Sequence, residues 1–514
     1  MAAGGSGDVF DILKDASSPD TIAAQRAAQK ARDDEISRKA QRRAAETIQG
    51  HSSQPVYFDS ITILGAPRTR RSFLERLVKP ALDRSDQGDF TLKDALRELS
   101  KAIGGLHHFE IFKPDIPFYI DTPSDYTYDP KNPNNPIPLS AIINVKEKSR
   151  FFLKSGTDLG NTEGSAYLQG SLRNVFGGAE FLHVSASKGT RTRSAYDATF
   201  TTPINSSPLA SIELKGLSTA RDNSHSSHTE LSRGFIGTAR WATPAYNLKQ
   251  SISYEGLWRT LTELHDDASP SVRRDAGESL KSAITHLLTR DTRDNPILPS
   301  SGTLLRLRNS IAGLGPLKGT VAHWKSEAET ALAYPLFKGI TVNSSFRGGV
   351  LYPLTLSGDS APKPSTIADR FHIGGANDVR GFQTGGLGPH SGKDSLGGDA
   401  YVAGSLGVLF PFPRVGTDSG LRFQAFINGG RLLALERPPG VQDMNIAQGM
   451  KYTVSRLLTE APSLAAGVGI VYGHPVARFE LNFCLPIGVR GTYGEEGAER
   501  ARKGIQFGVG VEFA

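Results

Sequence analysis

One arginine sets the chemical question in this sequence. Arg380 stands in Val379-Arg380-Gly381-Phe382, a cation between hydrophobic neighbours and beside a glycine. The four residues belong to a loop with nine glycines between Gly374 and Gly398. A loop this long in a strand-rich region is usually functional or unstructured. Its composition suits a tip tucked into a cavity. Taken alone, Arg380 reads as a solvated loop cation; if buried, it needs a partner or costs several kcal/mol.

Other candidate groups fall short. The stretch 385–395, GGLGPHSGKDS, has the glycines of a phosphate loop, but Leu387 and the Lys393-Asp394 step break its spacing. His107-His108, and His225 with His228, lack the acidic or cysteine neighbours of a metal site. Cys484 is the only cysteine, which excludes an intramolecular disulfide and a cysteine-based metal centre. No serine, histidine and acid constellation stands out, so neither an enzyme nor a cofactor is expected. The net charge of +7 over 514 residues is modest and does not call for nucleic acid.

The elements that must position Arg380 read mainly as β. From Arg150 onward, strand signals recur with few helical interruptions. Ala166, Leu168, Gly170 and Leu172 oppose Tyr167, Gln169, Ser171 and Arg173. Ala477, Phe479, Leu481, Phe483 and Leu485 oppose Arg478, Glu480, Asn482 and Cys484. At the end of the chain, Ile505, Phe507, Val509, Val511 and Phe513 oppose Gln506, Gly508, Gly510 and Glu512. A half-buried sheet and a membrane barrel share this alternation. The count of about sixteen strands and the lack of amphipathic helices to cover them favour the barrel. The clearest helical interruption falls near Ser271 to Leu288. No apolar run reaches the ~18 residues of a spanning helix.

Residues 1–50 are polar and charge-dense, and read as a disordered or frayed-helical arm. The start, MAAGGSGDVFDILKDASSPD, lacks the charged and apolar regions of a secretory signal, so none is expected. Residues 51–148 read as strand, helix, helix, strand, strand. The second helix carries Leu92, Leu96, Leu99 and Ile103 on one stripe, with Gly104-Gly105 as its stop. The expected organisation is an arm (1–50), a small α+β domain (51–148), and a roughly 16-stranded antiparallel transmembrane β-barrel (149–514) with an inward-folded loop at 353–399.

Three stretches carry a family resemblance. They are the turn Asp291-Thr292-Arg293-Asp294-Asn295-Pro296, the loop motif Val379-Arg380-Gly381-Phe382, and the final strand. In that order, after one α+β domain, they resemble the outer-membrane insertase superfamily. Its members include the bacterial barrel-assembly protein, the chloroplast import channel and the core of the mitochondrial sorting and assembly machinery (SAM). The α+β domain resembles a single polypeptide-transport-associated (POTRA) domain, and one such domain without a secretory signal points to the mitochondrial branch.

The resemblance implies a 16-stranded barrel in the mitochondrial outer membrane, with the POTRA domain facing the intermembrane space. It implies insertion of β-barrel precursors through a lateral gate between the first strand (Phe151, Phe152, Leu153, Lys154, Ser155) and the last (Gly504, Gln506, Gly508, Gly510). Accessory SAM subunits on the cytosolic side, the lipid bilayer and a second copy of the chain are the further partners implied; nucleic acid is not. The last strand is similar to the sorting signal of mitochondrial barrels: polar, any, glycine, two of any, hydrophobic, any, hydrophobic. Gln506, Gly508, Val511 and Phe513 fill those positions. Relatives often place an acid opposite the loop arginine, in a phenylalanine, any, aspartate, any, glycine pattern. Here that stretch is Phe426-Ile427-Asn428-Gly429-Gly430. Asn428, Asp399 or backbone carbonyls are left to hold Arg380.

Overall fold

The computed structural model describes residues 46–86, 88–126, 135–160, 163–355, 364–412, 419–435, 445–475, 477–489 and 498–510, with a few positions before 46. Val511 and Phe513, most of the N-terminal arm and part of the long loop lie outside the described residues. The chain divides into two compact units, 1–148 and 149–514.

The first unit is built from β1 (Val56–Leu64), α1 (Arg71–Ser85), α2 (Leu92–His108), β2 (Phe118–Asp121) and β3 (Ile137–Asn144). Its sheet runs in the order β1-β3-β2, with β1 parallel to β3 and β2 antiparallel to it. A parallel pair needs a long crossover, and the two helices supply it. Thr91 starts α2 with a capping box: its hydroxyl accepts from the Asp94 N–H, and the Asp94 carboxylate accepts from the Thr91 N–H. The buried face of α2 is Ala95, Leu99, Ala102 and Leu106, so of the expected stripe only Leu99 is fully covered. Gly104 and Gly105 do not stop the helix. A Cβ on Gly105 would lie 3.1 Å from Leu77 Cδ1, so the missing side chain lets α2 close on α1.

The second unit is one 16-stranded antiparallel sheet. Its strands are β4 (Phe151–Gly160), β5 (Glu163–Arg173), β6 (Phe181–Gly189), β7 (Thr192–Pro203), β8 (Ala210–Asn223), β9 (His228–Thr243), β10 (Leu248–Thr262), β11 (Gly277–Asp291), β12 (Gly302–Ala312), β13 (His323–Pro335) and β14 (Thr341–Pro353). After the long loop, which carries the two-residue strands β15 (His390–Ser391) and β16 (Asp394–Ser395), come β17 (Ala400–Pro411), β18 (Leu421–Leu433), β19 (Ser463–Gly473), β20 (Arg478–Gly488) and β21 (Gly504–Gly510). Every wall strand pairs with its neighbours in sequence, the loop hairpin aside. The sheet curls until β21 lies beside β4, yet among the described residues no ladder joins them.

The distribution of side chains is inverted relative to a water-soluble protein. Val184, Ile212, Leu214, Phe235, Trp258, Phe346, Leu406, Val468, Phe483 and Phe507 are exposed on the wall. Arg259, Gln424, Asn428, Arg478, Glu480, Asn482 and Gln506 are buried. Apolar-out and polar-in is the pattern of a transmembrane barrel, where every backbone group of the wall is paired within the sheet. No helix among the described residues is long and apolar enough to cross a membrane.

Among the described residues two α-helices interrupt the barrel. α3 (Pro270–Asp275) is short, and β11 begins at Gly277, so the helical signal read through Leu288 belongs mostly to a strand. α4 (Ile446–Thr459), between β18 and β19, was not expected. It buries Gly449, Met450, Thr453 and Leu457, with Leu457 against Ala400 and Leu433. Its i, i+3, i+7 spacing from Met450 was the available signal.

Candidate functional site

Hairpins alternate between the two ends of the barrel. The β11–β12 turn therefore lies at the end where β4 begins, and the β14–β17 connection leaves from the opposite end. Nevertheless Arg293 of the turn and Arg380 of the connection line one chamber of about 80 Å³, with Pro296, Glu329, Gln424 and Arg478. The long loop thus runs through the lumen.

Its first limb docks on one wall. Asp369 takes both arms of the Arg259 guanidinium from β10, at 2.7 and 3.0 Å. Lys325 of β13 donates to the Asp369 carbonyl at 2.9 Å and sits 4.2 Å from the centre of the Phe371 ring. Burial alone would raise the Asp369 carboxyl, but Arg259 outweighs it and holds the group well below the usual carboxylate range.

The tip docks on the other wall. Asp378 turns the chain by accepting from the Gly374 N–H at 2.7 Å and pairs with Arg347 of β14. Arg380 donates from Nε and Nη2 to the two oxygens of Glu480, at 2.9 and 3.2 Å. Its guanidinium lies 4.9 Å from the centre of the Phe426 ring. The carboxylate of Glu480 also accepts from Arg478, Gln424 and Asn482, at 2.5, 3.1 and 2.8 Å. Arg380 and Glu480 are only 3% and 1% exposed. A charge removed from water this completely requires such saturation of its oxygens.

The partners expected for Arg380 are therefore corrected. Asp399 faces away from it, accepting from Ser365 Oγ at 2.5 Å and the Leu435 N–H at 2.8 Å. Asn428 does reach Arg380, but through the backbone: with its carboxamide oriented to match donors with acceptors, it accepts from the Arg380 N–H at 2.5 Å and donates to the Arg380 carbonyl at 3.2 Å. The acid is Glu480, two strands nearer the seam than Asn428. Its place on the polar face of an alternating strand, next to Arg478, was the signal for it.

The remaining motif residues lock the tip against the last two strands. Val379 and Phe382 join Leu351, Phe371, Ile373, Leu387, Tyr401 and Leu432 in a core inside the barrel. Gly381 adopts φ +89°, and a Cβ there would fall 2.5 Å from that of Ala465, so only glycine fits. The Gly381 N–H donates to Gln506 Oε1 at 3.0 Å, and Gln506 Nε2 donates to the Phe382 carbonyl at 3.3 Å. Asn377 Nδ2 donates to the Val509 carbonyl at 2.8 Å. Ahead of β21, the N–H groups of Gln383 and Arg502 donate to Arg500 and Gly381 carbonyls at 3.0 and 2.8 Å.

The turn motif is self-contained. Arg293 donates from Nε and Nη2 to Asp291 at 3.0 and 2.8 Å. Asp294 accepts from the N–H groups of Asn295, Ser300 and Ser301, at 2.9, 2.9 and 3.2 Å. Burial would raise its carboxyl, but those donors and the Ser300 hydroxyl keep it below its ordinary value. Pro296 sits on the chamber wall, and Leu298 packs on Gly473 of β19. The phosphate-loop look-alike forms the β15–β16 hairpin, where Lys393 pairs with Asp267, and Asp394 accepts from Ser227 Oγ and the Ser269 N–H at 2.5 and 2.6 Å.

The two sides of the seam differ. In β4, Phe151, Phe152, Leu153, Lys154 and Ser155 are all exposed, on both faces of the strand. In β21, Ile505 and Phe507 are exposed, whereas Gln506, Gly508 and Gly510 are buried; Gly504 is half-buried with φ +114°. The last strand is braced from inside by the loop, and the first is held through its ladder with β5.

Comparison with known proteins gives this arrangement a family. The Omp85 superfamily domain matches residues 174–513. The chain is 36% identical over 473 residues to a SAM50-like protein of Schizosaccharomyces pombe, covering 91% of this chain and 93% of that one. It is 34% identical over 381 residues to the sorting and assembly machinery component 50 homolog of Homo sapiens, covering 73% and 75%. With the sorting assembly machinery 50 kDa subunit of Saccharomyces cerevisiae the identity is 28% over 417 residues, covering 76% and 80%. Among solved structures, BamA from Haemophilus ducreyi lacking POTRA domains 1–3 matches with a TM-score of 0.66, covering 88% of this chain and 84% of that one at 15% identity, a likeness of fold. A barrel whose lumen holds its own loop, matched over most of its length by these sequences, belongs to the Omp85 superfamily, among its SAM50 proteins.

Proposed function

We propose that this chain inserts and folds β-barrel precursors into the mitochondrial outer membrane through the seam between β4 and β21. In hydrocarbon each unpaired backbone group costs several kcal/mol, so a precursor strand must enter already hydrogen-bonded. An unpaired strand edge at the membrane offers that pairing by β-augmentation. The observation that carries the reading is the seam itself: β4 and β21 lie side by side with no ladder between them among the described residues. Gln506 and Gly508, with Val511 and Phe513, form the chain's own copy of the sorting signal that a precursor presents. The α+β domain faces the intermembrane space as a POTRA domain, and accessory SAM subunits bind from the cytosol. The chemistry is strand exchange without a nucleophile or nucleotide.

The test replaces Cys484 by Ser, places a cysteine at Ser155, and oxidises the membrane-embedded protein with a stalled precursor bearing a cysteine in its last strand. A disulfide between the two is expected. Its absence while the barrel is folded, with precursor chains still entering the lumen, would favour a conducting pore. In that case deleting the loop would raise conductance and leave barrel biogenesis intact.

A further inference from the structure

We propose that the cavity between the β8–β9 turn, the β15–β16 hairpin and the segment ahead of β21 binds a phosphate group. The site lies at the barrel end opposite the start of β4 and does not depend on how the seam is used.

The cavity holds about 320 Å³, at the small end of the ~300–1,000 Å³ typical of ligand sites. Arg191, Lys393, Arg500 and Arg502 line it, with His225 and His390. No aspartate or glutamate is among the described residues of the lining; Lys393 has its pair in Asp267, which stands outside it. A recess lined by one sign of charge concentrates counter-ions, and the planar guanidinium matches the oxygens of a phosphate. Burial pushes the His225 ring down to about 3, and His372, His228, Arg191 and Arg221 push the same way. At neutral pH it therefore offers a neutral imidazole, which can donate one N–H without adding a charge.

A second observation points to a ligand. Ser395 is 1% exposed, lies on the cavity lining, and its hydroxyl has no hydrogen-bond partner among the described residues. A buried hydroxyl left unpaired costs stability, and an anion in the cavity would accept from it. Gly385 lets these groups converge: its φ is +63°, and a Cβ there would fall 2.9 Å from His225 Cδ2 and 3.2 Å from Ser395 Oγ.

The cations are held in place by backbone. The Arg500 N–H donates to the Gly386 carbonyl at 2.7 Å, its carbonyl accepts from the Gln383 N–H at 3.0 Å, and its Nη2 donates to the Gly392 carbonyl at 2.9 Å. The stretch 385–395 lacks phosphate-loop spacing, yet Gly385, His390, Lys393 and Ser395 all line the cavity. A phosphate there would bridge the β6–β7 turn through Arg191, the loop hairpin, and the approach to β21 through Arg500 and Arg502. Its binding should tighten the loop.

The full chain in phosphatidylcholine vesicles is titrated with inorganic pyrophosphate at constant ionic strength. Binding is read by calorimetry and by slower tryptic cleavage after Lys393. A second arm omits pyrophosphate and adds phosphatidic acid to the vesicles. Protection in the first arm assigns the phosphate to a soluble source, and protection in the second alone assigns it to a lipid headgroup. In either case Arg502→Gln and Ser395→Ala should each weaken binding roughly tenfold, as when one charge-assisted hydrogen bond is lost. Ser395→Ala removes a hydroxyl without a protein partner, so its heat-modifiable migration should match wild type. Equal binding by wild type and both variants, or no protection in either arm, overturns the site.

Discussion

Glu480 holds Arg380 by two contacts, at 2.9 and 3.2 Å, across 100 residues of sequence. The same carboxylate is 2.5 Å from Arg478, so one buried acid serves two buried cations. That imbalance makes the acid the member of the cluster least able to be lost.

Glu480→Gln keeps the shape but leaves both guanidiniums facing a neutral group, which should cost about 3–5 kcal/mol. Arg380→Met should cost less, because Arg478 still neutralises the carboxylate. Heat-modifiable gel migration of the folded barrel, with protease sensitivity of the loop as a second readout, measures both. Equal shifts for the two variants would contradict the shared-acid arrangement.

Asp369 should make loop docking acid-sensitive. Its carboxyl is held below the usual range by Arg259, so its contribution is complete above the unfolded value of about 4 and is lost as pH falls through the lower folded value. Wild-type loop protection should persist down to about pH 4 and weaken below it. In Asp369→Asn that acid-dependent step should vanish and protection be reduced at neutral pH. Limited proteolysis across pH reads both.

Gly381→Ala meets two obstacles, the φ of +89° and the Ala465 methyl 2.5 Å from the new Cβ. The backbone strain alone is worth about 1–3 kcal/mol. Ala465→Gly in the same chain should restore only part of the lost loop protection, since it removes the contact and leaves the dihedral. Full restoration would mean that sterics alone select glycine here.

Thr91→Ala should destabilise the N-terminal unit by about 1 kcal/mol through loss of the capping box. Urea melting followed by a probe in residues 51–148 measures it. Thr91→Ser should be close to neutral, because its hydroxyl accepts from the same N–H.

The sequence alone determined the barrel. Period-two alternation in several of about sixteen strand signals, without matching amphipathic helices to cover their apolar faces, favours a membrane barrel over a half-buried sheet. It also marked Val379 to Phe382 as a tip suited to a cavity, and put Glu480 on the polar face of its strand. Tertiary structure decided which acid meets the arginine. Alternation says which face a side chain takes, but not how deep a loop descends or which strands it reaches. Those depend on ladder register and on the anchors at Asp369 and Asp378, set by contacts between residues far apart in sequence. For the same reason the glycines at 104 and 105 looked like a helix stop. The part Gly105 plays, room for Leu77, exists only once two helices pack.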